Sequence, residues 1–310
     1  MEAKRAEILF SYDARMSNPN GDPEENRPRI DRITGKNYVT EFRLKRTIRD
    51  YLAKVMNQKI FMRQELVSDK SLELKQIEDL ASSYITKSGK EKSIDKIKFI
   101  KDHIDIRLFG ILFAVGDIHF KQTGPIQFSI GQSLNKVDEI SIRMTRVVPT
   151  KEGAKAGTFG EKSVVRYSFI EFHGFVNNNV AKEVNLSEDD VQEMLIGMWK
   201  GTDSLTTSSK FGQKSRLLIK VNYKDDGYIG DLDLKCKLES KTEIIENISH
   251  VTLDVKDLFD VLEKNKNLIE SIEYEFDNDL VCKAETQGNF ETLIKKWFGK
   301  AGIKILRLSL

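Results

Sequence analysis

The sequence predicts an α+β fold: an antiparallel, ferredoxin-like sheet core carrying a helical insertion and a long β-hairpin. Three observations carry this. The elements run strand, helix, several strands, helix, strand, which is the order of a ferredoxin-like core. They do not alternate strand with helix in the regular way a doubly wound parallel sheet demands. Two helices are sharply bounded by capping residues, whereas the segments between them show strand-like runs broken by Gly and Pro.

Taken in order, Glu7 to Met16 reads as a strand with Ile8, Phe10 and Tyr12 alternating. SNPNGDPEENRPRID (17–31) follows; its three prolines, one glycine and three asparagines make it a loop. Residues 40–56 form a helix with Thr40 as N-cap and Leu44, Ile48, Leu52 and Val55 as its apolar stripe. The charge-rich stretch 58–101 reads as an insertion, part helical (Leu72 to Tyr84) and part mobile loop. Residues 103–115, HIDIRLFGILFAV, fit either a helix or a buried strand, since periodicity does not separate the two in so short a run. GPIQFSIG (124–131) reads as a strand after a Gly-Pro turn.

Residues 140–149 and 162–176 are strand-like, and TKEGAKAGTFGEK between them makes a projecting hairpin with a flexible tip. A second helix, 188–200, is capped by Ser187 with Asp190 at the capping-box position, and Leu186 is placed to staple onto Val191. A strand at 217–223 follows. Short strands then surround helices near 255–265 and 289–299. No internal repeat is present, so all 310 residues are read as one domain.

Composition narrows function. At 39% hydrophobic the chain has ample material for a core, and 50 Lys plus Arg against 48 Asp plus Glu leave a net charge of +2. A near-neutral balance excludes a chain that is basic all over, but a local basic groove depends on placement. Cys236 and Cys282 form no CxxC, which fits a reducing cytosol. With no signal-peptide pattern and no apolar run of membrane-spanning length, the expectation is a soluble cytoplasmic protein that does not engage a membrane. The histidines His103, His119, His173 and His250 are scattered, so no metal and no cofactor is expected. Phosphate-loop, dinucleotide and nucleophile-elbow motifs are missing, so the chain is not expected to be an enzyme. The counter-reading is a metal-assisted ribonuclease using Asp13, Asp22, Glu24, Glu25 and Asp31; turn chemistry beside Pro and Gly accounts for the same residues.

Three basic sets remain. FRLKRTIRDYL places Arg43, Lys45, Arg46 and Arg49 beside the apolar stripe of the first helix, either as a phosphate-gripping patch or as a solvated face. SSKFGQKSRLL supplies Lys210, Lys214 and Arg216 with Ser208 and Ser209 hydroxyls and a Phe211 ring on which a base can stack; an ordinary turn is the alternative. Arg143, Arg146, Lys162 and Arg166 lie on the strands flanking the hairpin, where Lys162 and Arg166 share a face.

These motifs resemble a known family. SYDARMSNPNGDP (11–23), RPRID (27–31), TGKNYVTEFRLKRTIRDYL (34–52), TGPIQFSIGQSLNKV (123–137) and TSSKFGQKSRLLIKV (207–221) are similar to the CRISPR-associated backbone subunit of type I Cascade, the Cas seven family, nearest its I-B branch. The resemblance covers roughly residues 6–223. It implies an RNA-recognition-type fold with a palm core at about 5–57 and 102–310, a finger-like insertion at about 58–101 and a thumb hairpin at about 140–176. It also implies copies of the chain in a helical filament on one CRISPR RNA, contacts to target DNA through that RNA, and further Cascade subunits as partners. Under it, Asn18, Asn20 and Gly21 shape the palm, and the basic sets hold phosphates. Type III relatives that cut bound RNA with a loop aspartate keep Asp22 and Asp31 in view as the alternative. RNP-type aromatic motifs are missing, which suits a protein that grips the backbone and leaves bases free.

Overall fold

The computed structural model describes residues 1–64, 76–88, 91–115, 118–145, 159–299 and 302–310. β1 (Ala6–Ser17) is its central strand. Ile8, Phe10, Tyr12 and Ala14 enter one apolar cluster and Leu9 enters another on the opposite face. β1 is therefore buried on both sides, a stronger burial than its alternation suggested. β2 (Lys36–Val39) leads into α1 (Glu41–Lys54), which starts at Thr40, whose hydroxyl accepts from Arg43 N. Leu44, Ile48 and Leu52 are buried as expected, each contributing about 1.5–3 kcal/mol of transfer free energy. Val55 is not part of the stripe: it is the C-cap and is 57% exposed, because the helix ends before its side chain returns to the core.

Within the expected insertion, α2 (Ile77–Ala81) and a 3-10 turn over Ser82–Tyr84 occupy the end of the helical stretch; 72–75 lie outside the described residues. A short hairpin follows, β3 (Ile85–Ser88) with β4 (Glu91–Ile94), then α3 (Lys96–Asp102). The ambiguous run 103–115 is both things in turn. It is helical in α4 (Ile104–Phe109) and extended in β5 (Gly110–Val115), and the switch falls at Gly110, φ +71°. β5 pairs with β6 (Ile118–Thr123). Phe61, Tyr84, Phe99, Phe113 and Phe120 pack into a cluster distinct from the two on the main sheet.

β7 (Ile126–Phe128), β8 (Gly131–Lys136), β9 (Glu139–Thr145) and β10 (Phe159–Val176) come next. β9 and β10 pair antiparallel from Val165↔Glu139 to Phe159↔Thr145, which forms the stem of the expected hairpin. Its tip, with Arg146, lies outside the described residues. After α5 (Asn178–Val184), α6 (Glu188–Asp203) begins with the full Ser187–Asp190 capping box, and Leu186 and Val191 are both buried in the same cluster. β11 (Gln213–Tyr223) starts four residues earlier than the sequence suggested, so Lys214 and Arg216 sit on a strand instead of in a loop. The remainder comprises β12 (Lys237–Ser240), β13 (Val251–Asp254), α7 (Lys256–Lys264), β14 (Ile269–Phe276), β15 (Cys282–Lys283), β16 (Gln287–Gly288), α8 (Phe290–Phe298) and β17 (Lys304–Arg307).

The main sheet runs β17-β14-β11-β1-β10-β8-β2, with β7 and β9 also on β10. From β14 to β2 every neighbour is antiparallel; β14 and β17 are parallel. α1 and α6 cover one face through Ile48, Leu52, Met194 and Met198. The other face is covered by α7, α8 and the small sheet β12-β13-β15-β16 through Leu253, Phe259 and Phe290. The result is a mixed α+β fold around an antiparallel-rich sheet.

Candidate nucleic-acid interface

Three segments meet where β1 ends: the loop from Asn18, the first turn of α1 and the turn before β11. Hydrogen bonds tie them together. Asn18 N donates to Ser209 O at 2.8 Å, and its Nδ2 donates to Asn26 O at 2.7 Å. Asn20 Oδ1 accepts from Thr40 N at 2.9 Å and from Thr40 Oγ1 at 3.0 Å, which locks the loop to the N-cap of α1. Gly21 closes the loop against Asn26, whose Oδ1 would lie 2.0 Å from an added Cβ. Gly212, φ +100°, accepts from Arg15 N through its carbonyl, and a Cβ there would stand 2.4 Å from Arg15 O. Asn18, Asn20 and Gly21 therefore brace the site from within.

Arg43 and Lys210 converge on this end. Lys210 Nζ donates to the Asn18 carbonyl at 2.5 Å, and burial followed by repulsion from Arg43 pushes its ammonium down to about 8. Arg43 is likewise shifted down by burial, partly offset by the Tyr12 phenol and Asp50. Among the described residues neither cation makes an ion pair with a carboxylate, and the buried Asn18 Oδ1 has no hydrogen-bond partner. Beside them Lys162 Nζ donates to Ser208 O. Phe211 is 71% exposed, and with Met16, Leu205, Ile248 and Tyr167 it lines a cleft of about 770 Å³ whose wall also carries Arg15, Lys214 and Arg216 and the carboxylates of Asp13, Asp203 and Asp279. The chemistry on offer is an anion seat next to an exposed aromatic face.

The other predicted cations are placed differently. Arg46 is exposed and pairs with Asp50 at 3.3 Å, and Arg143 is exposed on β9. Arg166 lies 3.6 Å from both Asp138 and Glu246. Lys45, expected beside Arg46 in one phosphate patch, points inward: it is 7% exposed, bonds Gln127 Oε1 at 2.8 Å and lies over the Phe109 ring. Arg49 pairs at 3.0 Å with the fully buried Asp105, which also accepts from Phe61 N and Met62 N. That pair joins α1 to α4. Lys214 binds Asp277 at 2.6 Å. Arg216 bridges Asp13 at 2.8 Å and Asp277 at 2.7 Å, at 8% side-chain exposure. Lys45, Arg49 and Arg216 are committed to acceptors inside the chain, because α1 and β11 are packed on more sides than a surface patch allows, whereas Lys214, with its side chain 45% exposed, makes its ion pairs with Asp277 and Asp279 at the surface.

The loop carboxylates do turn chemistry. Asp22 accepts from Glu24 N, Glu25 N and Arg27 N, bonds that hold its carboxyl below the usual range. Asp31 accepts from Thr34 Oγ1 and Ile33 N with the same effect. Among the described residues no group of three or more His, Cys, Asp or Glu is arranged to hold a metal, and no helix is long and apolar enough to cross a membrane. His103 sits in the aromatic cluster with Nδ1 on Phe99 O, and His173 bonds the buried Glu7. Arg15, exposed and lining the Phe211 cleft, was not singled out in the sequence, although strand alternation places it on the face opposite Ile8, Phe10 and Tyr12.

Fold and site together define an α+β sheet protein in which two half-buried cations, Arg43 and Lys210, stand without a carboxylate partner among the described residues at one end of the central strand. The family model for CRISPR-associated protein Cas7 matches residues 4–256. A curated relative from Haloferax volcanii, CRISPR-associated protein Cas7, is 30% identical over 305 residues, covering 86% of this chain and 85% of the relative. The chain belongs to the Cas7 family. Its fold matches a chain of a solved CRISPR RNA-guided surveillance complex, pre-nicking, with TM-score 0.54 and 12% identity over 96% of this chain and 100% of that one. A chain of a second CRISPR RNA-guided surveillance complex matches with TM-score 0.53 and 14% identity, over 96% and 99%.

Proposed function

We propose that this chain is a non-catalytic RNA-binding backbone subunit of a type I CRISPR Cascade complex, of the I-B branch. Copies pack in a helical filament along one CRISPR RNA in the cytoplasm, beside other Cascade subunits, and present the guide for pairing with target DNA in antiviral defence. Family membership supports the setting, as does the fold shared with chains of two CRISPR RNA-guided surveillance complexes. The single observation that carries RNA binding is the pair Arg43 and Lys210, two converging cations with no carboxylate partner among the described residues. A phosphodiester supplies the missing charge and releases counterions as it does so. Phe211 offers stacking, which tolerates any base.

The order β11-β1-β10-β8, with α1 and α6 on one face, supports reading the core as a ferredoxin-like, RNA-recognition-type palm. The cluster around Phe99 then belongs to the finger and the β9–β10 stem to the thumb. The test is assembly of the full chain on CRISPR RNAs with unrelated spacers, followed by addition of complementary RNA and Mg²⁺. Filaments form on every spacer and the RNA stays intact. Periodic cuts that vanish in Asp22→Ala or Asp31→Ala would replace this reading with a metal-dependent ribonuclease.

A further inference from the structure

We propose that the hairpin tip between Asp31 and Lys36 is a second RNA contact, in which Ile33 wedges between two bases of the guide strand while Lys36 and Lys136 hold phosphates beside it. The inference rests on the phosphate-seat reading above and extends it along the same loop. The tip is rigid. Asp31 Oδ1 accepts from Ile33 N at 2.9 Å, and its Oδ2 accepts from Thr34 Oγ1 at 2.7 Å. Two backbone bonds close the turn, Asp31 N to Lys36 O at 2.9 Å and Gly35 N to Asp31 O at 2.8 Å. Val137 N donates to Gly35 O and ties the turn to the end of β8. Ile33 is 95% exposed on this tip. A turn locked in this way does not fold the side chain back onto the core, so it stands in water.

Beside it stands a like-charge pair. Lys36 on β2 and Lys136 on β8 are direct cross-strand partners, so their side chains leave the same face of the sheet. The Lys136 stem runs past Gly35, 3.6 Å from where a Cβ would stand. Arg32 is exposed in the turn itself. Among the described residues none of these three cations makes an ion pair: Asp31 is committed to the turn, Glu139 to Arg27 and Asp138 to Arg166. Like charges set opposite one another across a strand pair cost stability. Guarding the open edge of the sheet accounts for Lys36 on the end strand, but not for Lys136 on the strand inside it. A phosphate between the two ammonium groups removes the repulsion, and isoleucine is among the side chains that enter between base steps. Continuity makes the guide strand the occupant. The tip belongs to the loop that Asn20 fastens to Thr40. Lys36 precedes Thr40 by four residues of extended chain, ~13 Å at ~3.3 Å per residue. An RNA strand leaving the first turn of α1 has only that distance to cross.

Titration of the full chain into single-stranded oligoadenylate carrying 2-aminopurine, whose emission rises when neighbouring bases unstack, reads the wedge. The wild type raises the emission, Ile33→Leu keeps the rise, and Ile33→Ser loses most of it although the RNA still binds. Salt dependence reads the lysines. Lys36→Gln combined with Lys136→Gln flattens the slope of log affinity against log salt by ~1.4, the worth of two phosphate contacts on a single strand. That double variant melts no lower than the wild type, because the repulsion leaves with the charges. An emission rise as large in Ile33→Ser as in the wild type, or a slope unchanged in the double lysine variant, overturns the second contact while the Arg43–Lys210 seat stands. Effects that appear only after a complementary strand is added overturn the guide strand as occupant. Failure of the wild type to bind RNA overturns both the tip and the seat.

Discussion

Replacing Arg216 with methionine removes a guanidinium from between Asp13, at 2.8 Å, and Asp277, at 2.7 Å. Methionine fills most of the vacated volume, so packing loss is minor. Asp277 keeps Lys214 at 2.6 Å and is partly exposed. Asp13 is the group left stranded: its side chain is 4% exposed, and Tyr167 OH at 3.0 Å is its remaining side-chain hydrogen bond. Breaking a buried pair by deleting one partner costs ~3–5 kcal/mol. Protonation of Asp13 caps that cost. Burial already pushes its carboxyl up against the pull of Arg216, and bringing an aspartic acid to the neutral form at pH 7 costs ~4 kcal/mol. The expected loss is therefore ~3–4 kcal/mol at pH 7, shrinking towards pH 4 as the proton becomes freely available. Urea unfolding followed by tryptophan fluorescence reads it, and adding Asp13→Asn recovers most of it. A loss below ~1 kcal/mol together with weakened RNA binding would refute the reasoning and return Arg216 to the RNA surface.

Glu171 is fully enclosed and accepts from Ser11 Oγ at 2.7 Å; burial pushes its carboxyl up to about 8. Its stabilising contribution is complete below pH ~4.5 and is lost as pH rises to about 8, at up to ~1.4 kcal/mol per unit. Glu171→Gln removes that slope from unfolding curves taken at pH 5–8, and identical slopes in the two proteins would contradict the assignment. Lys45→Met keeps the contact with Phe109 and leaves RNA affinity within about twofold; a tenfold loss would restore Lys45 to the interface. Gly212→Ala forces a Cβ to 2.4 Å from Arg15 O at φ +100° and costs at least ~1–3 kcal/mol in thermal unfolding, with an unchanged melting point as the contrary result.

Local chemistry was legible wherever a residue acts within its own segment. Thr40, Ser187 and Asp190 announce their helices because capping is a matter of spacing along the chain. Asp22 and Asp31 announce their turns for the same reason. What stayed hidden depends on partners far away in sequence. Nothing near Lys45 forecasts Gln127, and nothing near Arg216 forecasts Asp13 and Asp277. A basic run reads the same whether its charges meet solvent or a carboxylate 200 residues distant. HIDIRLFGILFAV failed differently: it holds two elements joined at Gly110, so no single period describes it. The convergence of Arg43 with Lys210 was visible only as two separate basic sets, because the loop that unites them is ordered by Asn18 and Asn20.

The account stands or falls on that convergence. The direct measurement is the salt dependence of binding to single-stranded RNAs of unrelated sequence, for the wild type and for Arg43→Gln combined with Lys210→Gln. Two phosphate contacts on a single strand are worth ~1.4 in the slope of log affinity against log salt. The account predicts similar affinities for every RNA and a slope flatter by that amount in the double variant. Strong discrimination between sequences, or a slope that the double variant leaves unchanged, would contradict it.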